Sequence, residues 1–349
     1  MIGNSLKVFL ILSSICLVSC SLEGEGIELN NPEKYILTKD LNWASPDGFD
    51  LTLDIYQPVS ERKSHPVLII FHGGGWLVNN KSIMDQMSEY LASNSQYVIC
   101  NVNYRLLSDQ SNSVTLNEIV EDAFGSVLWV KDNIAKYTGD PNRVAVTGDS
   151  AGAHLAAMIV NSPESITLKK DFKNNLGFVP TYLPAGQTIE DIIDNNLLSV
   201  QASILSYGAF DVYEGAKLGL ESSKNPFWFF SGSLPRNVFG SDYNHLSHPE
   251  MYKSLSPIYN IPEASEKSLP PQLLTVGSED KLTTPESVKN YLQKLSSKNQ
   301  YAEYWVHENR NHAFLDSGSN VFLGSSFEND APEALDKMIS FLDQVFKTK

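Results

Sequence analysis

Cysteine is scarce in this 349-residue chain, which has three: Cys16, Cys20 and Cys100. Their spacing matches no metal-ligand pattern. Cys100 sits in the apolar run Tyr97-Val98-Ile99-Cys100, where a lone cysteine packs as a small apolar side chain. Basic residues are outnumbered, 26 against 41 acidic, for a net charge of −15, and they form no block. That balance argues against nucleic acid and against adhesion to anionic lipid by charge. A bilayer span needs about 20 apolar residues. The run Val8 to Val18 is shorter and is broken by Ser13 and Ser14. There is no internal repeat, and nothing in the chain implies a redox cofactor, a nucleotide loop or a metal.

What is present suits one large α/β domain with insertions, or two small domains. The first residues are a separate matter. Lys7 supplies a small positive segment, and Val8 to Val18 fits the apolar region of a signal peptide. The run ends in Leu17-Val18-Ser19-Cys20, which resembles the lipobox of bacterial lipoproteins. That resemblance implies a signal peptide over 1–19 and lipid on Cys20. It also implies a tether over 20–34 and a domain over 35–349. The protein is then expected to be an exported lipoprotein held at a membrane, in the periplasm or at the cell surface. Ser21-Leu22-Glu23-Gly24-Glu25-Gly26 is small and acidic, as a tether would be.

The domain centres on Gly148-Asp149-Ser150-Ala151-Gly152. Before it, Arg143-Val144-Ala145-Val146-Thr147 reads as a buried strand. After it, Ala153 to Val160 is rich in helix formers. Strand, tight turn and helix give G-x-S-x-G its meaning, because such a turn lifts the serine hydroxyl above the sheet. Upstream, Val67-Leu68-Ile69-Ile70-Phe71 is continuously apolar, as a central parallel strand should be. It runs into His72-Gly73-Gly74-Gly75-Trp76. Glycines there free the backbone to turn N–H groups toward a developing negative charge. His72 is expected to brace this loop.

Elsewhere strand and helix patterns alternate. Ile36 to Trp43 and Leu51 to Tyr56 read as strands joined by Ser45-Pro46-Asp47-Gly48. Leu51, Leu53 and Ile55 alternate with Thr52, Asp54 and Tyr56, predicting a strand with one face half exposed. Helices are predicted over Ser82 to Ser93, Asn117 to Tyr137, Pro285 to Ser297 and Ala331 to Thr348. Further strands are predicted over Tyr97 to Tyr104, Ala202 to Tyr207, Leu273 to Gly277 and Tyr301 to Val306. Regularity lapses at about 161–200 and 212–267, which read as cap-like insertions over the site. The second carries Phe227-Trp228-Phe229-Phe230, either lining a pocket or anchoring the insertion on the core.

This pattern predicts an α/β fold with a mostly parallel sheet and helices on both faces. Its site belongs at the carboxyl ends of the strands. Ser150, Asp280 and His312 fall at such ends, in the chain order of α/β-hydrolase triads. Ser150 would be the nucleophile, His312 its base, and Asp280 the group that orients the imidazole. Glu279 and Asp316 compete with Asp280. His154 and His307 read as structural, and His245, His248 and Asp242 as too irregular a set for a metal.

On His72-Gly73-Gly74-Gly75-Trp76, Asn103-Tyr104-Arg105-Leu106, Gly148-Asp149-Ser150-Ala151-Gly152 and the Asp280 and His312 segments, the chain resembles serine esterases of the α/β-hydrolase fold. It is similar to hormone-sensitive-lipase-like carboxylesterases, feruloyl and acetyl-xylan esterases of gut bacteria, and arylformamidases. Asn311-His312-Ala313-Phe314 departs from the more usual Gly-His-Gly-Phe. The resemblance implies oxyanion donors at the N–H groups of Gly74, Gly75 and Ala151, with Gly73 as a further candidate. It implies a small-molecule or oligosaccharide ester as substrate, with acetyl or feruloyl groups on plant polysaccharide foremost. Cleavage of an amide, as in arylformamidases, is the alternative. A hydrolase fold that only binds is the reading from another class.

Overall fold

The computed structural model describes residues 34–347. The expected signal peptide, Cys20 and the expected tether up to residue 33 lie outside the described residues. Eight strands form one sheet: β1 (Tyr35–Ala44), β2 (Leu51–Pro58), β3 (His65–Phe71), β4 (Val98–Val102), β5 (Gly139–Asp149), β6 (Ala202–Ser206), β7 (Gln272–Gly277) and β8 (Ala302–His307). Their order is β1-β2-β4-β3-β5-β6-β7-β8. β1 pairs antiparallel with β2, and β2 with β4; every later pairing is parallel. The main helices are α1 (Asp85–Asn94), α2 (Leu116–Asn133), α3 (Ala151–Asn161), α4 (Pro285–Ser297) and α5 (Phe327–Lys347).

Every residue of β3, β4 and β6 is buried, which requires cover on both faces. α1 packs on α5, and α2 on α3. Local chemistry sets the helix ends. Thr115 and Glu118 form a capping box at the start of α2. Thr284 caps α4, with Pro285 in its first turn. The predicted helix over Asn117 to Tyr137 stops at Asn133 and tightens into a 3-10 turn, after which Thr138 turns left-handed at φ 61°.

One expectation about β2 needs correction. Asp54 and Tyr56 are buried along with Leu53 and Ile55. α1 packs on β2, with its Asp85 and Glu89 toward Tyr56, so the face expected to stay half exposed is covered. Asp54 tolerates burial because Lys81 Nζ donates to its Oδ2 at 2.7 Å and also reaches Asp40 Oδ1 at 2.8 Å. The irregular segments carry only short helices, such as Ile189–Asp194, Val212–Leu218, Pro226–Phe230 and Pro249–Ser254. Among the described residues, no helix is long and apolar enough to cross a membrane.

The loop after β4 is held by a buried ion pair. Arg105 Nε and Nη2 donate to the two oxygens of Asp122 at 2.9 and 2.8 Å, and the Arg105 backbone N–H adds a third bond at 3.0 Å. Removing one partner of such a pair strands the other charge. Arg105→Ala should therefore cost about 3–5 kcal/mol in urea unfolding. A loss below about 1 kcal/mol, the scale of an exposed pair, would contradict this account.

Candidate active site

β5 ends at Asp149, and Ser150 follows with φ 51° and ψ −113°, a left-handed conformation costly for a residue with a Cβ. The surroundings enforce it. Ser150 N–H donates to Ser206 O at 2.9 Å, and Ser150 O accepts from His154 N–H at 3.2 Å. The flanking glycines are obligatory. A Cβ on Gly148 would lie 2.3 Å from the Gly152 carbonyl carbon, and one on Gly152 would lie 1.9 Å from Phe71 O.

Two loops bring partners to the serine. His312 lies past the end of β8, with Nε2 3.0 Å from Ser150 Oγ. Its Nδ1–H donates to Asp280 Oδ2 at 2.7 Å. Asp280 follows β7 and is fixed in turn. Its Oδ1 accepts from the N–H groups of Leu282 and Thr283 at 2.8 and 3.0 Å. The Thr283 hydroxyl is bound to Tyr207 O at 2.7 Å. The Tyr207 ring meets His312 edge-on, with centroids 4.7 Å apart. All three relay residues are buried. This arrangement can pass a proton from the serine hydroxyl to the imidazole while the carboxylate holds the ring's orientation.

The glycine loop follows β3, whose Phe71 pairs with Gly148 of β5. Gly74 and Gly75 have φ of 121° and 61°. A Cβ on Gly74 would lie 2.2 Å from Val78 O. Gly74 O accepts from Leu77 and Val78 N–H, both at 3.1 Å, which shapes the loop. Among the described residues, no protein acceptor pairs with the N–H groups of Gly74, Gly75 or Ala151. Ala151 opens α3, where such groups favour an anion. Gly73 differs, because its N–H helps hold the charge of the Asp149 carboxylate. His72 braces the loop. Burial lowers its pKa to about 4, so it is neutral, and Nδ1–H donates to Gly73 O at 2.7 Å. Tyr104 stacks on it at 4.3 Å and donates its hydroxyl to His72 O.

Ser150 and His312 open on a cavity of about 460 Å³, also lined by Gly74, Asp149, Phe227, Phe230, Leu282, Asp316 and Phe322. The aromatic run divides its work. Phe227 and Phe230 line the cavity, Trp228 is buried with Nε1–H on Leu220 O at 2.9 Å, and Phe229 is 82% exposed. The rivals of the relay residues are elsewhere. Glu279 is exposed, its N–H bound to Arg310 O. His154 is buried between Trp76 Nε1 and Leu255 O, and His307 Nε2 is 2.8 Å from Asp330 O. His245 lies 3.7 Å from Glu221, while His248 pairs with Ser247. Among the described residues, no cluster fit to hold a metal is found. Asp316 takes no part in the relay, yet it shares the cavity wall with Asp149. Sequence reasoning missed that pairing, and it missed Thr283 and Tyr207, whose roles arise only from packing.

Asp280→Asn would remove the acceptor that fixes the imidazole tautomer. Turnover of p-nitrophenyl acetate should fall by about 10⁴-fold, while Glu279→Gln stays within about twofold. Near-normal turnover by Asp280→Asn would assign the orienting role to another residue.

The chain is similar to known proteins. The Esterase LipQ of Mycobacterium tuberculosis is 27% identical over 250 residues, covering 70% of this chain and 49% of LipQ. The Carboxylesterase NlhH of the same organism is 32% identical over 114 residues, covering 32% of this chain and 34% of NlhH. The chain thus spans about a third to a half of the length of these relatives. Among solved structures, a truncated carbohydrate esterase from gut microbiota aligns with a TM-score of 0.64 at 18% identity, over 91% of this chain and 99% of that one. A propionate-bound esterase, Est2, from Thermogutta terrifontis aligns with a TM-score of 0.60 at 21% identity, over 91% and 96%. These likenesses and the sheet order make the fold that of the α/β-hydrolases. One family model runs from residue 53 to residue 295, more than half of the chain and inclusive of Ser150 and Asp280, and on that match the chain belongs to the BD-FAE family.

Proposed function

We propose that the protein is a serine carboxylesterase that hydrolyses short acyl esters, with acetyl or feruloyl groups on plant polysaccharide as the substrate class. One observation carries the reading: Ser150 Oγ, His312 and Asp280 are joined at 3.0 and 2.7 Å, with Ser150 and His312 in the wall of an open cavity. The esterase names of the relatives support the reaction. The likeness to a carbohydrate esterase supports a carbohydrate ester as the substrate. The lipobox-like Leu17-Val18-Ser19-Cys20 supports an exported enzyme anchored at a membrane, where such material is met.

The chemistry follows from the geometry. Ser150 Oγ attacks the ester carbonyl carbon while His312 Nε2 takes its proton. The carbonyl oxygen becomes an oxyanion against the N–H groups of Gly74, Gly75 and Ala151. Losing one such donor typically costs about 100- to 1000-fold in rate. His312 then returns the proton to the departing alkoxide, leaving an acyl-Ser150. Water, deprotonated by the same imidazole, attacks that ester and frees the acid and the serine. Asp280 holds the ring's orientation and stabilises the imidazolium.

The test is acid release by the protein and by its Ser150→Ala variant. The panel is acetylated xylan, methyl ferulate, p-nitrophenyl esters of rising chain length, and N-formylkynurenine. Serine-dependent release from xylan or ferulate is expected. Preference for the formamide would make the protein an amidase, and no serine-dependent turnover on any of them would leave a binding protein with a hydrolase fold.

A further inference from the structure

A short hairpin borders both the active-site cavity and a second hollow. Its strands, β9 (Ser319–Asn320) and β10 (Ser325–Ser326), follow the His312 loop and precede α5. They pair Ser319 with Ser326 and Asn320 with Ser325. Asn320 Oδ1 accepts from Leu323 N–H at 3.0 Å, and Gly324 turns left-handed at φ 67°, which closes the tip. The base is held at the start of α1. Ser317 N–H donates to Ile83 O at 2.7 Å, and Gln86 N–H donates to Ser317 Oγ at 3.0 Å. The tip is uncovered, with Val321 95% and Phe322 79% exposed. The Phe230 ring braces Phe322, with centroids 6.3 Å apart and the planes close to perpendicular.

The second hollow has a volume of about 350 Å³, with Lys281, Asn311, Val321 and Gly324 in its wall. It shares Leu282, His312, Phe322 and Leu323 with the cavity that contains Ser150. Its polar groups run against the acidic balance of the chain, for no residue that lines it is acidic. Among the described residues, neither the Lys281 ammonium nor the Asn311 side-chain amide has a hydrogen-bond or ion-pair partner. Asn311 is also the residue that departs from the Gly-His-Gly-Phe pattern. Its Nδ2 lies 3.3 Å from where a Cβ on Gly324 would sit, so its side chain reaches the hairpin tip.

The reaction described above assigns the two halves of an ester to different sides. Ser150 attacks the acyl carbon, so the acyl group belongs in the first cavity, which Ser150 and Gly74 both line. The departing alkoxide takes its proton from His312, so the alcohol half must lie beside that ring. His312 lines both hollows, and Ser150 only the first. We propose that the second hollow receives the alcohol half of the ester, and that this half is a sugar ring laid against Phe322. The assignment rests on the esterase reading and adds to it the residues that recognise the sugar.

The chemistry of the wall selects the ring. A pyranose has an apolar C–H face bordered by hydroxyl groups. Phe322 offers an exposed flat ring for that face, with Val321 and Leu282 extending the apolar surface. Lys281 and Asn311 line the same hollow with N–H groups that no protein acceptor uses, and hydroxyl oxygens accept from both. A small alkyl alcohol would use neither feature. A plain aryl alcohol would cover Phe322 and leave both donors to water.

The test keeps the acyl group fixed and changes the alcohol. Acetate release from methyl 2-O-acetyl-β-D-xylopyranoside is compared with release from ethyl acetate, as a ratio of kcat/KM values. The wild type should favour the xyloside. Phe322→Leu keeps an apolar side chain but loses the flat ring, and it should lower the ratio about fivefold, through KM for the xyloside. Phe322→Tyr, which keeps the ring, should retain the ratio. Lys281→Met and Asn311→Gly should each lower it about threefold. Phe322 and Lys281 are exposed, so their substitution does not endanger the fold. A wild type that favours ethyl acetate overturns the assignment, and so does a ratio that Phe322→Leu and Lys281→Met leave unchanged. Ester hydrolysis would then stand without this subsite. A wild type that hydrolyses neither ester overturns the esterase reading and the subsite with it.

Discussion

Gly152 packs so close to the end of β3 that a single added carbon would lie 1.9 Å from the Phe71 carbonyl oxygen. That contact is the constraint on which the site depends. It locks the first turn of α3 against the strand next door, where Phe71 and Gly148 are paired in register. The loop that leaves β3 and the turn that leaves β5 must then emerge side by side. Gly74 and Ser150 line one cavity because those two strand ends are held together. A buried parallel pair supplies the stiffness, since β3 and the end of β5 have no exposed residue.

The strain stored at Ser150 is offset by bonds that do no chemistry. Ser206 O holds the Ser150 N–H, Tyr104 holds the His72 carbonyl, and Thr283 links Asp280 to the Tyr207 carbonyl. Each active loop is thus tied to a neighbouring strand end by a partner outside the relay. His72 and His154 serve the same purpose. Burial lowers both to a pKa of about 4, so they stay neutral hydrogen-bonding wedges that add no charge beside the site. The imidazole that faces the serine has its acidic partner in Asp280, 2.7 Å from Nδ1.

Much of this was legible before any coordinates. Asp280→Asn and Glu279→Gln can be set against each other because Ser278-Glu279-Asp280 closes an apolar strand run, which marks a strand end. Gly148, Gly152 and Gly74 stand out because close backbone approach or positive φ leaves no room for a side chain. The parallel sheet followed from continuous apolar runs separated by amphipathic helices. What could not be read depends on contacts between distant segments. Asp54 is buried because Lys81 reaches it across 27 positions, and no local pattern announces that. The aromatic run contains pocket-lining, core and solvent-facing rings side by side, since a short helix turns successive residues to different surroundings. That Asp149 and Asp316 line one cavity depends on how the last loop folds back. The lipobox-like segment and its tether lie outside the described residues.

The central claim is that Ser150 is an activated nucleophile in a preformed relay. The most direct measurement is peptide-mapped mass spectrometry after treatment with a fluorophosphonate, alongside the hydrolysis rate of the same sample. The account predicts one adduct per chain, on Ser150, with activity lost in step with labelling. Full activity in a sample with no adduct, or with one on another residue, would contradict it.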